Sequence, residues 1–141
     1  MFNAIVVGLD GSEGSRPALP LAAELAEKDG ARLVLLHVDE RIPAKGGVHP
    51  VRADEDQIRA DLQEQARQLS ERGIDASVEV VELILGGPAQ AIERVAEREG
   101  ADLIVVGRRG HAPVAGLLLG SVTQRLLHVA RRAVLAAPPA D

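Results

Sequence analysis

The residues of this chain best suited to hold a charged ligand lie in a glycine-rich stretch, Gly107-x2-Gly110-x9-Gly120, which Ser121 follows directly. Glycine has no Cβ, so backbone amides beside it can come close to an anion. Ser121 is expected to cap the helix that begins here, and the next amides then have no partner within that helix. Open amides at the positive end of a helix dipole bind anions, so the spacing predicts a phosphate cradle. The alternative is that these glycines only turn the chain.

A second group, Asp10-Gly11-Ser12, follows the apolar run 4–9. Ligands of open α/β sheets bind beyond the carboxyl ends of the strands, where Asp10 would accept hydrogen bonds from a ribose. The alternative is an Asx turn, in which the Asp10 side chain accepts a bond from the backbone two residues on. Arg108 and Arg109 also allow two interpretations, because guanidinium groups suit phosphate oxygens but also occur as solvated pairs on surface loops.

Short apolar runs alternate with helical periodicities along the whole chain. The predicted strands cover residues 4–9, 31–38, 76–82, 103–106 and 133–137, and the predicted helices end near residues 29, 73, 100 and 128. Such an alternation predicts an α/β fold with a five-stranded parallel open sheet, helices on both faces and right-handed crossovers. In this topology strand 133–137 lies at a sheet edge.

Three features of the middle of the chain bear on the site. If the first helix begins at Ser12, Pro20 lies inside it and kinks it. Residues 39–53 contain prolines and glycines without a period, which predicts a long loop. His37 has no identifiable partner carboxylate and is expected to be a packed strand residue, and His49 an exposed loop residue.

Composition limits the classes of function. The chain has 141 residues, which fits a single domain over 1–141, and its net charge of −5 argues against a nucleic-acid binder. Phe2 is the only aromatic residue, so unpaired bases have no stacking platform. No apolar run is long enough to span a membrane, cysteine is absent, and the N-terminus lacks the basic start of a leader. We therefore expect a cytoplasmic protein without disulfides.

The glycine spacing resembles the nucleotide-binding signature of the ATP-binding branch of the universal stress protein family. The resemblance extends over most of the chain, through residues 5–12, 35–38, 87–89 and 101–107. It implies a Rossmann-like fold of the adenine nucleotide alpha hydrolase type.

The resemblance also implies ATP as the ligand. Carried over residue by residue, the family's contacts fall on Gly8, Leu9, Asp10, Val38, Val106, Gly107, Arg109, Gly110, Gly120, Ser121, Val122 and Thr123. Asp10 would bind the ribose, and the backbone of Val38 would recognise adenine. The Ser121 and Thr123 hydroxyls would add donors to the phosphates. Mg²⁺ or Mn²⁺ could accompany the phosphates, held mostly by ATP and water.

No catalytic residue is predicted, because a Walker lysine and the loops of pyrophosphatases and adenylyltransferases are all missing. The sequence therefore favours an ATP-binding regulator or sensor that acts through an unidentified protein partner. Two alternatives remain, namely a slow ATPase or autophosphorylating enzyme using a hydroxyl such as Ser121, and a nucleotide-free dimeric interaction module of the same family. By resemblance, strand 133–137 pairs with its copy in a homodimer.

Overall fold

The computed structural model describes residues 1–108 and 119–139. Its elements follow one another as β1 (Ala4–Gly8), α1 (Ala18–Asp29), β2 (Arg32–Ala44), β3 (Gly47–Pro50), α2 (Glu55–Glu71), β4 (Ala76–Leu83), α3 (Pro88–Glu99), β5 (Leu103–Gly107), α4 (Ser121–Val129) and β6 (Ala133–Ala137). This order confirms the predicted α/β class.

Five of the strands form the predicted parallel sheet, in the order β4-β2-β1-β5-β6. β1 lies at the centre, with Val6 opposite Val34 of β2 on one side and Ile104 of β5 on the other. β6 pairs with β5 from Leu103↔Ala133 to Gly107↔Ala137 and ends the order. The prediction that the last strand lies at a sheet edge is therefore confirmed.

A sixth strand corrects the predicted loop over residues 39–53. β2 continues to Ala44, and β3 returns antiparallel to it with Ala44 opposite Gly47. Positive φ occurs at Gly46 in the turn, 90°, and at Gly47, the first residue of β3, 131°, a conformation that glycine adopts without steric cost. Nearly all residues of this hairpin are exposed, so it has no buried face to produce the alternating pattern that identifies a strand.

The parallel strands are covered on both faces, as predicted. α1 and α2 pack with Ile5 and Val7 in one core, and α3 and α4 pack with Ala4 and Val6 in the other. Successive side chains of a strand point to opposite faces, so a continuous apolar run at β1 supplies both cores. In the described parts of the chain, no helix combines the length and apolar character that crossing a membrane requires.

The first helix begins later than Ser12. α1 starts at Ala18 with Pro17 as its N-cap, and residues 12–17 form turns. Pro20 is thus the third residue of the helix, where the backbone amide would have no partner within the helix in any case. The interior proline and kink expected for the earlier start do not occur.

Asp102 joins two neighbouring strands at the amino end of the sheet. Its carboxylate accepts hydrogen bonds from the amides of Asn3 (3.0 and 3.1 Å) and Ala4 (3.2 Å) at the start of β1. Burial raises the pKa of Asp102, but the bonds from the Asn3 and Ala4 amides outweigh it, and the net pKa is lowered from the ordinary 3.8. Folding therefore favours the ionised form of this carboxyl.

We predict that Asp102→Ala lowers the free energy of unfolding by about 1–2 kcal/mol at neutral pH, because two amides lose a charged acceptor. A carboxyl with a lowered folded pKa stabilises fully above its unfolded pKa, and this stabilisation disappears as pH falls through the folded pKa. In urea titrations the gap between wild type and variant should therefore narrow below about pH 4. Asp75→Ala is the control, since this exposed carboxylate makes no hydrogen bond within the described residues. A gap that stays constant with pH would contradict the assignment.

Candidate functional site

A cavity of about 340 Å³ opens at the carboxyl edge of the sheet. Its walls are the ends of β1, β2 and β5 and the first residues of α3 and α4. β1 and β5 are neighbours, but the helices that follow them, α1 and α4, pack on opposite faces of the sheet. Open α/β sheets bind ligands in the crevice that forms at such a point.

The cavity collects most of the residues singled out from the sequence. Those that line it are Gly8, Leu9, Asp10, Val38, Val106, Gly107, Gly120, Ser121, Val122 and Thr123. The predicted contacts Arg109 and Gly110 lie outside the described residues. The lining also includes residues without a predicted role, namely Ser15, Leu36, His37, Glu40, Arg52, Pro88 and Ile92.

The amino end of α4 forms one wall of the cavity. Its N-cap is Gly120, with φ −72° and ψ 164°, and not Ser121 as predicted; Ser121 is the first helical residue, and among the described residues no side chain caps the helix. This negative φ is one that residues other than glycine also adopt. The first bond of the helix runs from the amide of Gln124 to Gly120 O (3.0 Å), so the three preceding amides have no partner within the helix. These amides can donate to an anion in the cavity.

The Thr123 hydroxyl does not serve as a free donor. It is buried, and Oγ1 donates to the carbonyl of Gly107 at 2.9 Å, which ties the first turn of α4 to the end of β5. A hydroxyl has one proton to donate, so any contact from Thr123 to a ligand would come from its backbone amide.

Gly107 is required by a close approach of two backbones. A Cβ at this position would lie 2.1 Å from Gly14 O and 2.7 Å from Ser15 Cα. The turn after β1 thus packs directly on the end of β5, leaving no room for a side chain. The amide of Gly120 in turn donates to Arg108 O (2.8 Å), which holds α4 beside this contact.

Asp10 lies in the turn after β1 and adopts the Asx arrangement. Its Oδ1 accepts hydrogen bonds from the amide (2.9 Å) and the hydroxyl of Ser12. Gly11 follows with φ 79°, and a Cβ there would lie 2.9 Å from the Ile58 side chain. The carboxylate nevertheless belongs to the lining of the cavity, so the Asx turn and a ligand contact are compatible.

A buried histidine and glutamate lie behind this turn, and the sequence did not indicate the pair. His37 Nδ1 is 2.8 Å from the carbonyl oxygen of Leu9, and Nε2 is 2.6 Å from Glu55 Oε2 in the first turn of α2. The exposed fractions of the two side chains are 1% and 6%. His37 is packed in its strand, as predicted, but the expectation that it lacks a carboxylate partner is wrong. The two residues are 18 apart in sequence, and only the fold brings α2 over β2.

The geometry of the pair fixes its proton count. A carbonyl oxygen can only accept, so Nδ1 carries a proton. Nε2 and Oε2 can form a hydrogen bond only if one further proton lies between them, whether it is on the imidazolium or on the carboxylic acid. The pair carries no net charge in either form, so its burial avoids an isolated buried ion.

A second buried carboxylate lies on the same face of β2. Asp39 is fully buried, and its Oδ2 accepts from Arg41 (2.9 Å) and Arg59 (3.0 Å). The hydrogen bond that Arg41 donates to Asp39 raises the pKa of Arg41. Within residues 1–108 and 119–139, no group of three His, Asp or Glu side chains is arranged to hold a metal ion.

The arrangement provides three chemically different walls. The amides at the start of α4 can donate to an anion, the Asp10 carboxylate can accept hydrogen bonds, and aliphatic side chains such as Val38 and Ile92 form an apolar surface. A ligand that combines an anionic group, hydroxyls and a flat apolar part would satisfy all three.

We predict that Glu55→Ala lowers the free energy of unfolding by about 3 kcal/mol, because it leaves His37 Nε2 buried without a partner. Glu55→Gln should cost less than about 1 kcal/mol, since its amide can donate to Nε2 of a neutral imidazole. Asp56→Ala is the control, because Asp56 shares the first turn of α2 but is exposed. Urea denaturation measures all three, and equal losses for the Ala and Gln variants of Glu55 would contradict the shared proton.

Comparison with known proteins identifies the family. The model of the universal stress protein family matches residues 1–138. A universal stress protein of Thermus aquaticus, named for its place in the QAH/OAS sulfhydrylase 3′ region, is 35% identical over 127 residues, with 90% of this chain and 92% of that protein covered.

Two solved structures share the fold. A protein of the universal stress protein family from Burkholderia pseudomallei has a TM-score of 0.77 at 35% identity, covering 98% of this chain and 96% of the other. A universal stress protein solved in complex with cAMP has a TM-score of 0.68 at 28% identity, covering 99% and 98%. Since the family model spans nearly the whole sequence and the Thermus aquaticus relative is 35% identical over 90% of it, the chain belongs to the universal stress protein family.

Proposed function

We propose that this chain binds an adenine nucleotide, that the nucleotide is ATP, and that binding regulates contacts with a protein partner in the cytoplasm. The proposal rests above all on one observation, the meeting of the Asp10 carboxylate and the open amides of α4 in one cavity. It is supported by the relative solved with cAMP, which is an adenine nucleotide too.

Each part of the nucleotide has a corresponding wall. The phosphates would lie at the amino end of α4, where the amides of Ser121, Val122 and Thr123 have no partner within the helix. Asp10 would accept hydrogen bonds from the ribose hydroxyls. The base would lie between the aliphatic side chains of the cavity, with the backbone of Val38 as the polar contact.

A divalent cation is proposed to enter only with the phosphates. Among the described residues no cluster of metal-ligating side chains is present, so ATP oxygens and water would supply most ligands of Mg²⁺ or Mn²⁺. The proposal is for a binding function, because the sequence contains no Walker lysine to stabilise phosphoryl transfer.

The test is calorimetry of the purified protein with ATP, AMP and cAMP, preceded by identification of any nucleotide released on denaturation. We expect ATP to bind most tightly, because its three phosphates reach the most amides of α4. Failure of all three nucleotides to bind would overturn the proposed function. If cAMP bound more tightly than ATP, the ligand would be cAMP and not ATP.

We predict that Gly120→Val weakens ATP binding at least a hundredfold, a loss of about 3 kcal/mol, because its side chain would project beside the open amides. Gly120→Ser distinguishes the effect of filling space from the effect of occupying the open amides with a capping side chain. Serine is a favourable N-cap whose oxygen would accept from the amides that ATP needs, so this variant should keep or slightly raise its stability, by roughly a few tenths of a kcal/mol, while losing affinity. Calorimetry and urea denaturation measure the two effects, and unchanged affinity in both variants would remove the cradle from the proposal.

We further propose that the protein is a homodimer paired through β6. Ala137 O accepts from the Arg108 amide on the β5 side, so strand alternation turns the backbone N–H and C=O of Val134 and Ala136 to the open edge. This edge is apolar and has no charge within the strand, and unprotected edges of this kind pair readily. A second copy related by a two-fold axis would continue the sheet.

We predict that Ala136→Pro converts the dimer to a folded monomer, because proline removes an outward N–H without touching the ladder to β5. Ala133→Pro is the control, since the N–H of this residue points toward β5 and the outward groups remain. Sedimentation velocity at micromolar concentration distinguishes the species. A wild-type monomer, or a dimer that survives Ala136→Pro, would count against pairing through β6.

A further inference from the structure

Arg52 is a cavity residue that no motif of the sequence indicates. It lies between the β2–β3 hairpin and α2, outside the stretches 10–12 and 107–121. Its side chain nevertheless reaches the wall of the cavity and is only 22% exposed. A guanidinium at the edge of a nucleotide site suggests a phosphate contact, but its hydrogen bonds indicate a different task.

The guanidinium connects the start of α2 to the ligand turn. Nε and Nη2 donate to the Asp54 carboxylate at 3.0–3.2 Å, and Nη1 donates to the carbonyl oxygen of Asp10 at 2.8 Å. A planar guanidinium held by two bonds to one carboxylate has a fixed orientation. The donor that faces Asp10 O is therefore aimed by Asp54.

The bond from Arg52 holds a peptide of the turn that could rotate without it, the peptide that contains the Asp10 carbonyl. This carbonyl belongs to the peptide that joins Asp10 to Gly11, and Gly11 has φ 79°. Glycine adopts positive and negative φ with nearly equal ease, so a peptide before glycine can rotate at low cost. A change of the Gly11 φ that is not compensated at Asp10 would also move the next peptide, whose N–H, the amide of Ser12, holds Asp10 Oδ1 at 2.9 Å.

The preceding carbonyl is held independently. Leu9 O accepts from His37 Nδ1 at 2.8 Å, and the Leu9 amide donates to Leu36 O at 2.8 Å. Loss of Arg52 would therefore leave β1 and Leu9 in place and remove the 2.8 Å donor to the carbonyl of the Asp10–Gly11 peptide.

We propose that Arg52 is a positioning residue that sets the preference of the site for a ligand with ribose hydroxyls. It acts through the Asp10 carbonyl, fixes the turn, and so directs the Asp10 carboxylate into the cavity. The proposal rests on the proposed nucleotide function but goes beyond it, because it assigns the ribose preference to a residue that touches Asp10 and not the phosphates.

The test compares ATP with 2′,3′-dideoxy-ATP, which keeps the base and phosphates but lacks the hydroxyls that Asp10 would bind. By calorimetry, Arg52→Gln should weaken ATP binding about tenfold, the effect of one well-oriented hydrogen bond, and change the affinity for the dideoxy ligand less than twofold. Arg52→Lys should recover part of the ATP affinity, since an ammonium can still donate to Asp10 O. Arg72→Gln is the control, because among the described residues the Arg72 side chain makes only an exposed ion pair, with Glu27, near the far end of α2.

Three outcomes would overturn the proposal. Equal loss for both ligands would make Arg52 a phosphate contact or a general support of the fold, and unchanged ATP affinity would leave it without a role. Absence of any ATP binding by the wild type would defeat the proposed function together with this inference, and it is seen before a variant is made. If Arg52→Gln fails to fold, Asp54→Asn provides the same comparison, because it removes the charge that aims the guanidinium.

Discussion

The central place of β1 between β2 and β5 is the constraint on which the rest of this structure depends. The chain builds the sheet outward from β1 in one direction with α1 and α2 on one face, and then in the other direction with α3 and α4 on the opposite face. The connections that leave β1 and β5 therefore diverge, and a crevice must open between them. Both groups of residues that could do chemistry follow these two strands, so the topology brings them together.

The same constraint requires that the backbone carbonyls at the carboxyl edge of the sheet have hydrogen-bond donors. The turn after β1 passes so close to the end of β5 that Gly107 has no room for a side chain. The carbonyl groups of this turn lie at the boundary of a packed interior, where unpaired polar groups are costly. His37 satisfies Leu9 O and Arg52 satisfies Asp10 O, and each of these donors is held by an acid at the start of α2, Glu55 and Asp54. α2 is thus part of the support of the site although it supplies no predicted ligand contact.

The two sides of the cavity consequently differ in how they are built. The side proposed for the phosphates consists of backbone amides of α4, which any sequence that starts a helix after glycine can provide. The side proposed for the ribose has a single carboxylate, and its turn contacts side chains from distant parts of the chain. We expect substitutions on the first side to act by filling space or capping the amides, and those on the second side to act by loosening the turn.

The sequence by itself determined the alternation of strands and helices, the parallel sheet, the edge position of β6 and the glycine spacing of the cradle. The signals for these features are local, because apolar periodicity and glycine turns depend on residues that are close together in the sequence. Only the tertiary structure decided what lies far apart in the chain: the His37–Glu55 pair, the reach of Arg52 to Asp10, and the use of the Thr123 hydroxyl on Gly107. The exposed β2–β3 hairpin was also missed, since a strand with no buried face has no apolar alternation to show. Hydrogen-bond partners are chosen by which elements pack together, and that choice is made when the helices fold onto the sheet.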